Sequence, residues 1–265
     1  MERNIGAGAR SKHRGGGGRG RGPNPLKNPQ RGGQEPQGRQ HHHREQEFLG
    51  EFGDLSVILK EWRDIAHIIG PVLKQRAAIC WAIVFARLLE AAHNIALDEE
   101  TKSFIEISIN DLVKKIKKDT KDMEIGSLKK CFKIIRESGL AKKSPTSVQN
   151  DELAQKITWV FASEEKANMT FIVTKLNRSP VGIIIEIDEE FGELREGIYK
   201  VRRVQPDSNG DILRHALLIT GHGHTPNGRH FLITQNSWDT DWGVKGYGRI
   251  AIEGDMTCLV FYPTF

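Results

Sequence analysis

A cysteine, a histidine, an asparagine and a glutamine stand along this chain in an order that acyl-transfer chemistry can use. Gln75 precedes Cys80 by five positions, His215 follows Cys80 by 135, and Asn236 follows it by 156. A thiol attacks a carbonyl carbon as its thiolate, so its surroundings must favour the anion. Cys80 opens an apolar run, Trp81 to Ala92, that contains no Gly or Pro. That run predicts a helix with the thiol in its first turn, at the positive end of the helix dipole. An imidazole such as His215 can take the thiol proton and return it to a leaving amine. The Asn236 side chain would hold that imidazole in one tautomer. The Gln75 side-chain amide, with the Cys80 backbone N–H, supplies donors for an oxyanion.

Each residue also has an ordinary reading by itself. A lone cysteine heading an apolar helix is usually a small buried hydrophobe. A histidine before Ala216-Leu217-Leu218 is a strand residue, and Asn236-Ser237-Trp238 is a turn beside a core aromatic. The elements around them must therefore bring the four groups together. Ala216 to Thr220 and His230 to Thr234 read as buried strands joined at a Pro226-Asn227-Gly228 turn. The helix begun at Cys80 must lie against them.

Gly70-Pro71-Val72 with Gln75, Cys80-Trp81-Ala82, His215-Ala216, and Asn236-Ser237-Trp238 with Trp242-Gly243 resemble the motifs of the papain family of cysteine peptidases, in the family's order. The resemblance runs from about Phe52 to Phe265. Ile107 to Val113, Pro180 to Ile185, Gly197-Ile198-Tyr199 and Lys245 to Ile250 are similar to further family segments. It implies a plant-type, divergent member with an α+β fold. The family's two lobes would be a helical one begun by the Cys80 helix and an antiparallel β-barrel carrying His215 and Asn236, with the cleft between them. It also implies a cysteine-type endopeptidase acting on peptide or protein substrates through a Cys80 thioester. Cys80, His215, Asn236 and Gln75 would be its catalytic residues, with Trp238 shielding the His215–Asn236 contact and Trp242 packing behind it. The family's histidine and asparagine follow its cysteine by about 130–150 residues.

The pattern departs from the family in three places. The family separates its glutamine and cysteine by six positions, so here the loop takes a shorter path and Gln75 shifts register against the nucleophile. Ile79, bulky and β-branched, stands where the family has a small residue. Between Lys114 and Gly126 no Cys-x-Gly-Gly segment, which forms one wall of the family's cleft, is recognisable. These departures favour a rival reading, a catalytically degenerate homologue acting as a binding module.

Composition divides the chain at Glu47. The first 47 residues hold ten Lys and Arg against four Asp and Glu, leaving 29 against 30 in the rest. Residues 1–47 are rich in Gly, Arg, Pro and Gln without apolar periodicity, so they read as a disordered tail before a peptidase domain over 48–265. Arg14 to Gly22 resembles the Arg-Gly segments that bind RNA, which gives a third reading: weak RNA contact through the tail. The mixed stretch from Lys114 to Lys143 reads as solvated faces of amphipathic helices. No cofactor is expected and no metal, since His41, His42 and His43 adjoin in a flexible tail. No membrane partner is expected, and the chain should be a monomer. The start lacks an apolar signal core. Cys131 and Cys258 look like packed free thiols, so the expected address is cytoplasm or nucleus. The resembled family is usually secreted, vacuolar or lysosomal.

Overall fold

The computed structural model describes residues 49–101, 103–116, 128–143 and 154–265. The tail over 1–47, with its Arg-Gly segment and histidines, and most of Lys114 to Gly126 lie outside the described residues.

The first long element is helix α1, Cys80–Ile95, beginning where the apolar run begins. It is buried on nearly all sides, 14 of its 16 residues, so it runs through the core rather than over it. Two further helices pack near it. In α2, Ile109–Lys115, the Ser108 hydroxyl caps the start by accepting from the Asp111 N–H. In α3, Leu128–Ser138, Leu128, Cys131 and Ile135 form the buried stripe while Lys129, Lys130 and Lys133 are exposed. This is the expected amphipathic pattern. α3 ends at Gly139, whose φ of 63° is the left-handed value glycine supplies at a helix stop.

An eight-stranded sheet faces this helical side. Its strands are β1 (Val57–Glu61), β4 (Phe161–Ala167), β5 (Val181–Glu186), β6 (Ile198–Lys200), β7 (Arg214–His224), β8 (His230–Gln235), β9 (Tyr247–Ala251) and β10 (Cys258–Pro263). The order is β4-β10-β5-β7-β8-β9-β6, with β1 also on β7. All pairs are antiparallel except β6 with β9. A separate two-stranded ribbon joins β2 (Leu140–Ala141) to β3 (Lys156–Ile157). β7 and β8 form the expected hairpin, closed through Gly228 at φ 82°.

Alternation along the strands divides the core. Ile184, Ala216, Leu218 and Phe261 join the cluster that contains Cys80 and Phe85 of α1. Their neighbours Ile183, Ile185, Leu217, Ile219 and Val260 join a second cluster with Ile172 and Leu176 of α4, Met169–Leu176. A one-residue slip of β7 would exchange the two sets. Phe261 lies over its partner Gly182, where an added Cβ would come within 2.5 Å of the ring. The same ring sits 4.6 Å from that of Phe85. Burying a side chain of this size contributes about 2 kcal/mol, so this contact is a principal tie between α1 and the sheet. Cys131 and Cys258 are buried and unbridged, as expected of packed thiols, and burial pushes the Cys258 thiol up to about 12.

Candidate active site

Cys80 is the first residue of α1 and is fully buried. Its predecessor Ile79 makes no side-chain cap to the helix, and the first turn holds no acidic residue. The dipole at this end is therefore not offset by a local carboxylate. The approach is tight: the Ile79 N–H donates to Ala77 O at 2.7 Å. The Trp81 indole N–H donates to Ala78 O at 3.2 Å and fastens the turn to the helix.

His215 lies near the start of β7, which packs against α1. Its Nε2 is 2.7 Å from Asn236 Oδ1. The same Oδ1 accepts the Ser237 backbone N–H, also at 2.7 Å. That second donor requires an oxygen at this position, so Nε2 carries the imidazole proton and Nδ1 presents a lone pair. Nδ1 is buried and makes no hydrogen bond among the described residues. Burial lowers the imidazole pKa to about 4, against the smaller opposing pull of the Asn236 hydrogen bond. The resting imidazole is thus neutral at pH 7, with its basic nitrogen unoccupied.

Aromatic rings wall this pair. Trp238 packs at 4.6 Å from the His215 ring, tilted by 34°. Trp242 packs behind it, 6.1 Å from Trp238. Phe191 stands between them, 5.6 Å from Trp238 and 5.1 Å from Trp242, and its carbonyl accepts the Trp242 indole N–H at 3.0 Å. The sequence reading missed Phe191. Its available signal was Asp188, which caps the short helix α5, Glu189–Gly192, by accepting from the Phe191 N–H.

Gln75 is joined to the same corner. Its N–H donates to Ser237 O at 2.8 Å, and its Oε1 accepts the Ser237 hydroxyl at 2.6 Å. Lys74 bridges to Trp238, Asp239 N–H donates to Leu73 O, and the Lys74 ammonium pairs with Asp239 at 3.1 Å. Residues 73–75 are therefore zipped along the Ser237–Asp239 segment. The structure brings His215 together with Asn236, and Gln75 together with Ser237. It makes no hydrogen bond between Cys80 and His215 Nδ1, though Cys80 shares a buried cluster with Ala216, the next residue of β7. Ser237 was read only as part of a turn, and its coupling role is a finding of the structure.

Comparisons with known proteins bear on the family and the fold. A family model described as papain family cysteine protease matches residues 59–262. Ananain of Ananas comosus is 23% identical over 210 residues, covering 72% of this chain and 54% of its own. Procathepsin L of Felis catus is 25% identical over 227 residues, covering 77% and 64%. The chain thus spans little more than half to under two thirds of the length of these relatives. Among solved structures, the bromelain protease from Ananas comosus in complex with the E64 inhibitor superposes with a TM-score of 0.62 at 19% identity, covering 79% of this chain and 98% of that one. The Carica candamarcensis cysteine protease CMS1MS2 with E-64 gives 0.59 at 21%, covering 79% and 97%.

Proposed function

Because the chain belongs to the papain family of cysteine proteases, matched over residues 59–262, we propose that it is a cysteine-type endopeptidase acting through a Cys80 thioester. The observation that carries this reading is the His215 Nε2–Asn236 Oδ1 contact at 2.7 Å, which leaves Nδ1 as an unoccupied base. His215 Nδ1 takes the Cys80 proton, and the sulfur bonds to the substrate carbonyl carbon. The oxyanion takes hydrogen bonds from the Cys80 backbone N–H and the Gln75 amide. The carbon–nitrogen bond breaks as imidazolium returns its proton to the leaving amine. Water then attacks the thioester carbonyl carbon with His215 again as base. The carbon–sulfur bond breaks, releasing the acid while the imidazolium returns the proton to Cys80. No cofactor is required. The three unbridged cysteines are consistent with a reducing compartment, which we propose as the working address.

A second reading is favoured by one specific observation. Cys80 and His215 are both fully buried. A site closed in this way would serve a homologue of low turnover that acts chiefly as a binding module.

Covalent labelling of the full chain with an epoxysuccinyl inhibitor of the E-64 type separates the two. The endopeptidase reading expects one adduct on Cys80, absent from Cys80→Ser and strongly slowed in His215→Ala. A folded chain with unmodified Cys80 would favour the binding module.

A further inference from the structure

α1 carries a buried ion pair that the acyl-transfer chemistry does not use. Arg87 and Glu90 are 3% and 2% exposed, with Nη1 and Oε2 at 2.7 Å. Desolvation offsets most of the attraction in such a pair, so stability alone does not account for it. The guanidinium fork reaches further. Its Nη2 donates to the carbonyl of Pro71 at 2.6 Å. A Cβ on Gly70 would lie 2.2 Å from Nη1, so only glycine allows this close approach of the backbone. The Gly70 carbonyl in turn accepts from Gln235 Nε2 at 2.8 Å, and Gln235 also donates to the Tyr247 hydroxyl at 2.8 Å. Glu90 Oε1 accepts the Ile107 N–H at 2.8 Å, which fixes the far end of the pair.

These bonds join three pieces of the site: the helix that begins at Cys80, the loop that leads from Gly70 to Gln75, and the strand that ends just before Asn236. Arg87 lies seven residues after Cys80, about 10 Å along the same helix face. One rigid element therefore carries both the thiol and the anchor of the oxyanion loop.

We infer that Arg87 is a positioning residue for acyl transfer, setting the Gly70–Gln75 loop against the nucleophile helix and so placing the Gln75 amide relative to Cys80. This rests on the endopeptidase reading above. The ion pair with Glu90 orients the fork. Burial holds the Glu90 carboxyl above the usual carboxylate range, and Arg87 pulls it back down.

The test exploits two reactions of one thiol. Alkylation of Cys80 by iodoacetamide forms no oxyanion, whereas acylation by an activated peptide ester does. Arg87→Lys keeps a cation beside Glu90 but cannot bond Glu90 and Pro71 through a planar fork. In that variant, with an unchanged circular dichroism spectrum, alkylation should stay within about twofold while acylation falls roughly 100-fold, the effect of a misplacement near 1 Å. The double variant Arg87→Met with Glu90→Gln removes both buried charges and should give the same split. Equal loss of both rates, or loss of neither, would overturn the inference. An unaltered chain that alkylates but never acylates would instead defeat the endopeptidase reading, and this inference with it.

Discussion

The Ser237 hydroxyl donates to Gln75 Oε1 at 2.6 Å. The backbone N–H of the same serine donates to Asn236 Oδ1 at 2.7 Å, the atom that also holds His215. One residue thus links the group proposed to orient the base with the group proposed to bind the oxyanion. With its carbonyl oxygen fixed on Ser237, the Gln75 side chain has a set orientation.

Removing that hydroxyl tests the coupling. Ser237→Ala should lower stability by about 1 kcal/mol, the usual net worth of one hydrogen bond. Acyl transfer should fall roughly tenfold, part of the larger effect of losing an oxyanion donor outright. Iodoacetamide alkylation of Cys80 should be nearly unchanged. Steady-state kinetics and urea midpoints measure all three, and an equal fall in alkylation would mean that the hydroxyl does not act through the Gln75 amide.

Acid should destabilise the fold through His215. Its folded pKa of about 4 lies below the unfolded value near 6.5. Between those values the unfolded chain binds more protons, so the contribution is fully present above pH 6.5 and is lost as pH falls to 4. The full difference is about 3 kcal/mol. His93 and His222 are lowered by burial as well and act in the same direction. The comparison must therefore be with His215→Gln: between pH 7 and pH 4 the unaltered chain should lose about 3 kcal/mol more than this variant. Parallel curves would mean that folding leaves the His215 pKa unshifted.

Asn236→Asp should move that titration upward. A carboxylate keeps both acceptor contacts and adds a negative charge at hydrogen-bond distance from Nε2, which favours imidazolium. Histidine resonances followed by NMR should titrate at higher pH in the variant. An unmoved titration would mean that the introduced carboxyl is itself protonated in this buried corner.

Much of this was legible in the sequence because it rests on local signals. The Gly- and Pro-free run after Cys80 became α1, and the short apolar runs around Leu217 and Leu232 became β7 and β8. The amphipathic pattern between Lys114 and Lys143 became α3 over its described part. What stayed hidden depends on long-range placement. Phe191 reaches the His215 wall through a four-residue helix. Arg87 reads as an isolated charge in an apolar run until Gly70 and Pro71 are folded against it. The five-residue spacing of Gln75 and Cys80 was visible, but the tight Ala77–Ile79 turn between them was not.

The Trp242-Gly243 turn offers the sharpest test of backbone geometry behind the site. Gly243 has φ 60°, and an added Cβ would lie 2.1 Å from the carbonyl oxygen of Tyr247. That oxygen is already engaged by the Val244 N–H at 2.7 Å, so it cannot withdraw without breaking the turn. Gly243→Ala therefore combines left-handed strain with a collision against backbone, and should cost roughly 3 kcal/mol. Gly228 separates the two effects: its φ is 82°, but an added Cβ meets nothing within 4 Å. Gly228→Ala should cost only about 1 kcal/mol, the strain alone. Because Trp242 packs on Phe191, Gly243→Ala should also alter the near-ultraviolet signal of the tryptophans and slow Cys80 labelling, which Gly228→Ala should leave alone. Equal costs in the two variants would show that the 243–247 turn can shift without disturbing the aromatic wall.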